Sequence, residues 1–190
     1  MEADFSIEMG QDDPVLDFPW TDPMGKLAYF DLKRQPELLA KVEEAGQYPE
    51  LAEFLKSVNS ARSIFESAKC DVWESTELSV EEEIFNATHK FASYVDLVFS
   101  DVECRLSLPR NEEFAKTLTE LLRRAPEMNA AVEICIRRCF FDEAGEIRDG
   151  CYFTVYLNGY GTDAVLARRN WGIAMKLVAN AILQLSVKTA

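Results

Sequence analysis

The chain has 190 residues, with 20 Lys+Arg against 33 Asp+Glu, a formal net charge of −13, 48% apolar residues and 28% charged ones. That apolar share excludes a disordered chain, and the length suffices for one domain that buries roughly 70% of its unfolded surface. The negative charge argues against nucleic acid and anionic membranes as partners. No apolar run nears the roughly 20 residues that span a bilayer, and the acidic start lacks the basic and apolar stretches of a secretory leader.

The charge is unevenly placed. Residues 1–100 hold 21 acids and 8 bases, whereas residues 101–190 hold 12 of each. Residues 1–25 carry seven acids and no base, and residues 70–83 carry six (Asp71, Glu74, Glu77, Glu81, Glu82, Glu83) and no base. Each block reads either as a solvated segment or as a docking surface for a basic partner.

In chain order, residues 1–35 contain Pro14, Pro19 and Pro23 and show no clear period. They read as an irregular acidic arm that Phe18, Trp20, Tyr29 and Phe30 anchor, ahead of a single domain over 36–190. Pro36 suits a first helical position, with Leu38, Leu39 and Val42 as the apolar stripe and Gly46 as the stop; Pro49 opens a second helix with Leu51, Phe54, Leu55 and Val58. Residues 66–75 alternate as a strand. Residues 76–88 are ambiguous, and the Ser79/Glu82 spacing allows a capped short helix. Residues 89–100 form a strand. Residues 110–124 form a helix with Phe114, Leu118, Leu121 and Leu122 on one face, ended by Pro126. Residues 130–141 and 147–158 form a hairpin around Asp142-Glu143-Ala144-Gly145-Glu146. The last helix, about 162–187, carries Trp171, Ala174, Val178, Ala181 and Leu185, with a narrow polar stripe of Arg169, Lys176, Asn180 and Gln184. So apolar a helix must be covered by the sheet, by other helices, or by a second copy of the chain.

The order α-α-β-β-α-β-β-α with short turns predicts an α+β fold, an antiparallel sheet of about four strands in two hairpins. Parity puts Ala68, Cys70, Val72, Phe91, Val95, Leu97, Phe99, Val132, Ile134, Ile136, Cys151, Phe153, Val155 and Leu157 on the core face, with Arg138 as an interruption that marks a bulge or a strand end. The other face mixes aromatic and charged residues. Its binding candidates are Trp73, Tyr94, Asp96, Arg137, Tyr152 and Tyr156, on a surface suited to a peptide, a ligand or the chain's own arm.

Catalytic chemistry finds little support. His89 is the only histidine, no triad motif surrounds a serine, and Asp71 and Asp96 share a proton only if their strands bring them together. Cys135 and Cys139 lie roughly 13 Å apart on a strand, too far for one tetrahedral zinc. Neither a metal nor a cofactor is expected. Five cysteines, an odd count, fit reduced thiols in a cytoplasmic protein. Asn158-Gly159-Tyr160-Gly161-Thr162-Asp163 joins a strand to a helix but falls short of known phosphate fingerprints, and reads as turn and cap. Of three Arg pairs, Arg123-Arg124 lies at a helix C-terminus, where cations favour the dipole, while Arg137-Arg138 and Arg168-Arg169 offer a charge match, within the chain or between subunits, to the acids of 1–25 or 70–83, or alternatively a site for an acidic ligand.

The element order over roughly residues 36–187, with the acidic composition and the apolar last helix, is similar to that of type III secretion chaperones and their YbjN-like relatives, small dimeric α+β proteins that bind other polypeptides. The expectation is a non-catalytic cytoplasmic adaptor or chaperone-like domain, a homodimer that binds another polypeptide. The alternative is a small-molecule-binding domain or enzyme that uses Arg137, Asp96, Tyr94 and Tyr152.

Overall fold

Alternation of apolar and polar side chains is strongest in residues 89–99, 130–143 and 146–161, and these become the middle of the sheet. The computed structural model describes residues 1–143 and 145–189. Its six strands are β1 (Glu2–Glu8), β2 (Leu16–Phe18), β3 (Phe65–Ser75), β4 (His89–Phe99), β5 (Ala130–Glu143) and β6 (Glu146–Gly161), and the sheet order is β1-β5-β6-β4-β3. β2 pairs with β5 beyond the end of β1. Both run parallel to β5, whereas β3/β4, β4/β6 and β5/β6 are antiparallel.

The two expected hairpins are present, and the sheet is larger than the four strands expected. The arm that read as irregular supplies two of the six strands. Residues 2–8 do alternate, with Ala3, Phe5 and Ile7 against Asp4, Ser6 and Glu8, but as an edge strand they need cover on only one side. The arm's acids meet bases of the second half: Arg123 reaches Asp4 (3.3 Å) and Arg137 reaches Glu8 (2.7 Å). Arg168 pairs instead with Glu50 (2.9 Å), outside both acidic blocks.

The helices are α1 (Glu43–Gln47), α2 (Pro49–Val58), α3 (Val102–Arg105), α4 (Leu108–Leu122) and α5 (Ala164–Thr189), with 3₁₀ turns at Pro36–Lys41 and Val80–Phe85. α3 was not foreseen; Asp101 caps it by accepting from the Cys104 amide (2.9 Å). α2, α4 and α5 cover the core face. Phe65, Phe99, Phe114 and Phe153 pack there with ring centroids 4.5–5.9 Å apart. Trp171 of α5 is fully buried against Phe91 and Tyr48, and its Nε1 donates to Ser93 Oγ (2.8 Å). The cover that α5 requires comes from β6, β4, α2 and α4 of the same chain. Among the described residues no helix is long and apolar enough to cross a membrane.

Two assignments of parity change. The register of β3 against β4 slips between Ser67 and Cys70, which turns Ala68 away from the core to the opposite face. Arg138 is no bulge: it stays in register with Cys151, and its half-exposed side chain lies 3.7 Å from Asp149. In the β5–β6 turn Gly145 adopts φ +92 and its amide bonds Asp142 Oδ1 (2.8 Å), while Ala144 lies outside the described residues.

Candidate functional site

The face opposite the helices is covered at both ends. At one end the arm lays Leu16, Phe18, Trp20 and Tyr29 over Val98, Cys139, Phe141, Tyr152 and Ala68. Its anchor is polar. Tyr29 Oη donates to Glu66 (2.8 Å), Arg105 pairs with the same carboxylate and donates to the Phe99 carbonyl, and the Arg105 guanidinium lies 5.3 and 5.2 Å from the Phe18 and Phe141 rings. Trp20 Nε1 adds a bond to the Ala68 carbonyl (2.7 Å). At the other end the 80–85 turn is clamped down. Phe85 stacks on Tyr160 (4.1 Å), and Glu82 takes Lys90 (2.8 Å), Tyr160 Oη (2.7 Å) and the Ser79 amide (2.8 Å). The capping box read from Ser79 and Glu82 is therefore present.

Between these covers a polar chain crosses four strands. Arg137 of β5 binds Glu8 of β1 through Nε (2.8 Å) and Nη2 (2.7 Å), and its Nη1 donates to Thr154 Oγ1 (3.0 Å) and Tyr156 Oη (3.2 Å). Thr154 of β6 donates to Asp96 Oδ1 of β4 (2.7 Å). Three of the six candidates, Asp96, Arg137 and Tyr156, are thus brought together, and Tyr94 lies 6.2 Å from Tyr156, ring to ring. Tyr152 is buried under the arm. Trp73 stands apart on β3, half in solvent. Thr154 and Glu8 complete the chain without having been singled out: Thr154 was legible by parity, but Glu8 belonged to a strand not foreseen.

The electrostatics are those of a closed network. Burial pushes the Asp96 carboxyl up to about 6, against the Thr154 hydrogen bond and the charges of Lys69 and Arg137. Burial also opposes the charge on Glu8, but the Arg137 bond and charge win and hold it below the usual range. Burial and then Asp96 raise Tyr152 to about 12. Because the folded chain holds the Asp96 proton more tightly than the unfolded one, this group costs nothing where both forms are protonated. The cost grows as pH climbs through the interval between its ordinary value and about 6 and is complete above it. Asp96→Asn should therefore stabilise the protein by roughly 2–3 kcal/mol at pH 8 and by little near pH 4. Urea unfolding of both proteins across that range checks it; parallel profiles would refute it.

Acid-base, thiol and metal chemistry do not converge here. Asp71 bonds its own neighbour's amide, Val72 N (2.7 Å), and shares no hydrogen bond with Asp96. His89 Nδ1 lies 3.0 Å from Thr88 Oγ1, with no carboxylate or thiol bonded to the ring among the described residues. All five cysteines are free, and burial raises the thiols of Cys70 and Cys135 to about 12 and Cys151 to about 11, far from thiolate at neutral pH. Glu8, Glu133 and Cys135 bring ligand atoms within 4.8 Å, but the Arg137 cation already occupies Glu8.

Asn158–Gly161 is strand rather than turn. Asp163 does cap α5, accepting from Leu166 N (2.8 Å). The glycines serve packing: a Cβ on Gly159 would lie 2.1 Å from Trp171 N, and one on Gly161 2.5 Å from Ala167 N.

An open cleft of about 550 Å³ lies at the free edge of the sheet, beside the β3 bulge. The arm (Trp20, Leu27, Phe30), the start of α1 with Val42, and Lys69, Asp71 and Tyr94 of the sheet surround it. Lys69 Nζ stands 4.8 Å over the Trp20 ring. Sequence reasoning missed this cleft because its walls come from four separate segments.

No protein-family model matches the chain, and neither a curated protein nor a solved structure shows a significant match to it.

Proposed function

We propose that the chain is a non-catalytic domain that binds other polypeptides, of the adaptor or chaperone-like kind, through the β3 side of its sheet. One observation carries this reading. The polar groups that would do chemistry, Asp96, Thr154 and Arg137, are buried and bonded to one another, whereas a half-apolar cleft lies open along an unpaired strand edge. Unpaired edges and aromatic-lined grooves are where extended peptides dock. A homodimer is not needed, since α5 is already covered within the chain; sedimentation decides that separately. Free thiols accord with the reducing cytoplasm.

Selection from a library of random dodecapeptides tests the reading. Recovered peptides should bind the purified protein and lose at least about tenfold in affinity on Leu27→Glu, at an exposed wall residue, or on Tyr94→Ala. Failure to select any binder would overturn it. The cleft volume also suits a small molecule. That second reading requires a metabolite that raises the melting temperature of the wild type and not of Tyr94→Ala.

A further inference from the structure

We infer that the occupant of this side of the protein is a basic polypeptide segment with apolar residues interleaved, and that it runs from the cleft over Trp73 onto the 80–85 turn. The inference rests on the polypeptide-binding reading above and names the chemistry of the partner.

The surface is continuous in the fold. Asp71 lines the cleft, and Trp73 follows two residues on, on the same face of β3. The 80–85 turn then lies over the same side of the sheet. Glu82 and Phe85 are the residues that hold it down, which leaves Val80, Glu81, Glu83 and Ile84 pointing away. Val80 and Ile84 are 76% and 71% exposed, and Trp73 is 37% exposed. A capped, clamped turn that presents two large aliphatic side chains to water is a built surface, and contiguous exposed apolar area marks interaction sites.

Charge selects the partner. Of the six acids in residues 70–83, Glu82 alone has a basic side chain within ion-pairing distance among the described residues, its partner Lys90. Asp71, Glu77, Glu81 and Glu83 flank the apolar residues with no ion-pair partner among the described residues, whereas Glu74, in register with the core residue Phe91, turns to the helix side and feels the charge of Arg168. A nucleic acid or an anionic bilayer would be repelled, whereas lysines or arginines spaced between apolar residues would meet both features at once.

The test uses the full chain and a fluorescein-labelled synthetic peptide of alternating Lys and Leu, with Glu-Leu and Lys-Ser counterparts. The Lys-Leu peptide should bind. Its affinity should fall about tenfold on Val80→Ser/Ile84→Ser, and by a similar factor on Glu77→Gln/Glu81→Gln/Glu83→Gln. Raising the salt concentration should weaken it further. Neutralising Asp12 and Asp17 of the arm should change nothing, and neither counterpart should bind. Equal binding by the Val80/Ile84 variant, or equal loss on neutralising the arm, would overturn the inference. If library-selected peptides bind through Leu27 and Tyr94 yet are neither basic nor sensitive to Val80 and Ile84, this inference fails while polypeptide binding stands. If no peptide binds at all, both fall.

Discussion

Gly159→Ala is expected to lower the melting temperature by roughly 10 °C or to prevent folding, although it adds a single methyl group to a central strand. The atoms it would meet are backbone: Trp171 N at 2.1 Å, Ala167 O at 2.4 Å and Trp171 Cα at 2.7 Å. No rotamer change relieves such a contact, so the first turns of α5 must lift from β6. Lifting withdraws Trp171 from Phe91 and Tyr48 and strains its bond to Ser93, at a cost of several kcal/mol for a fully buried aromatic side chain. Gly46→Ala is the control. Nothing lies within 4 Å of a Cβ there, and the residue sits inside α1, so alanine should stabilise by about 0.5–1 kcal/mol. Thermal unfolding by circular dichroism compares the two. A Gly159 variant that melts within about 2 °C of wild type would mean that α5 does not seat on β6 as described.

That glycine also marks how far the sequence could be read. Strand parity in β4, β5 and β6 placed Phe91, Val95, Leu97, Ile134, Ile136, Phe153 and Val155 on the core face, and all seven are buried there. Parity succeeds in these strands because each is paired on both sides and none carries an inserted residue, so its own period of two is never reset. It fails at Ala68, where the β3 bulge inserts a residue that composition does not announce. It is faint in residues 2–8, where three alternating apolar positions stand among acids, and the parallel partner lies more than a hundred residues away. The glycines of 158–161 looked like a turn because glycine serves both tight turns and close approach; only the helix crossing above them distinguishes the two. In the candidate site, Asp96, Arg137 and Tyr156 were legible as face residues, but Thr154, which joins them, is too ordinary a strand residue to stand out. The cleft was not legible at all, since Trp20, Leu27, Val42 and Lys69 meet only through long-range packing.

The arm anchor produces the other large effect, and it ties stability to binding. Arg105→Ala is expected to cost about 3–5 kcal/mol. Arg105 and Glu66 have side chains 12% and 8% exposed, so removing the guanidinium leaves the buried carboxylate, among the described residues, with Tyr29 Oη as its hydrogen-bond donor and the more distant Lys33 charge. It also leaves the Phe99 carbonyl without its donor and empties the space between the Phe18 and Phe141 rings. Tyr29→Phe removes one hydrogen bond to a charged group and should cost only about 1.5–3 kcal/mol. The double variant Arg105→Met/Glu66→Leu removes both charges, so it should be more stable than the sum of its single changes implies, with a coupling of about 1–3 kcal/mol in urea unfolding. Simple additivity would show that the two groups do not form the buried pair. The consequence for function follows from where the arm leads after Phe18. Trp20, Leu27 and Phe30 form one wall of the cleft, so loosening the anchor should open that wall before the sheet itself unfolds. Under conditions where Arg105→Ala remains folded, peptide affinity should fall by tenfold or more, chiefly through faster dissociation. A folded Arg105 variant with wild-type affinity would separate the arm from the binding surface.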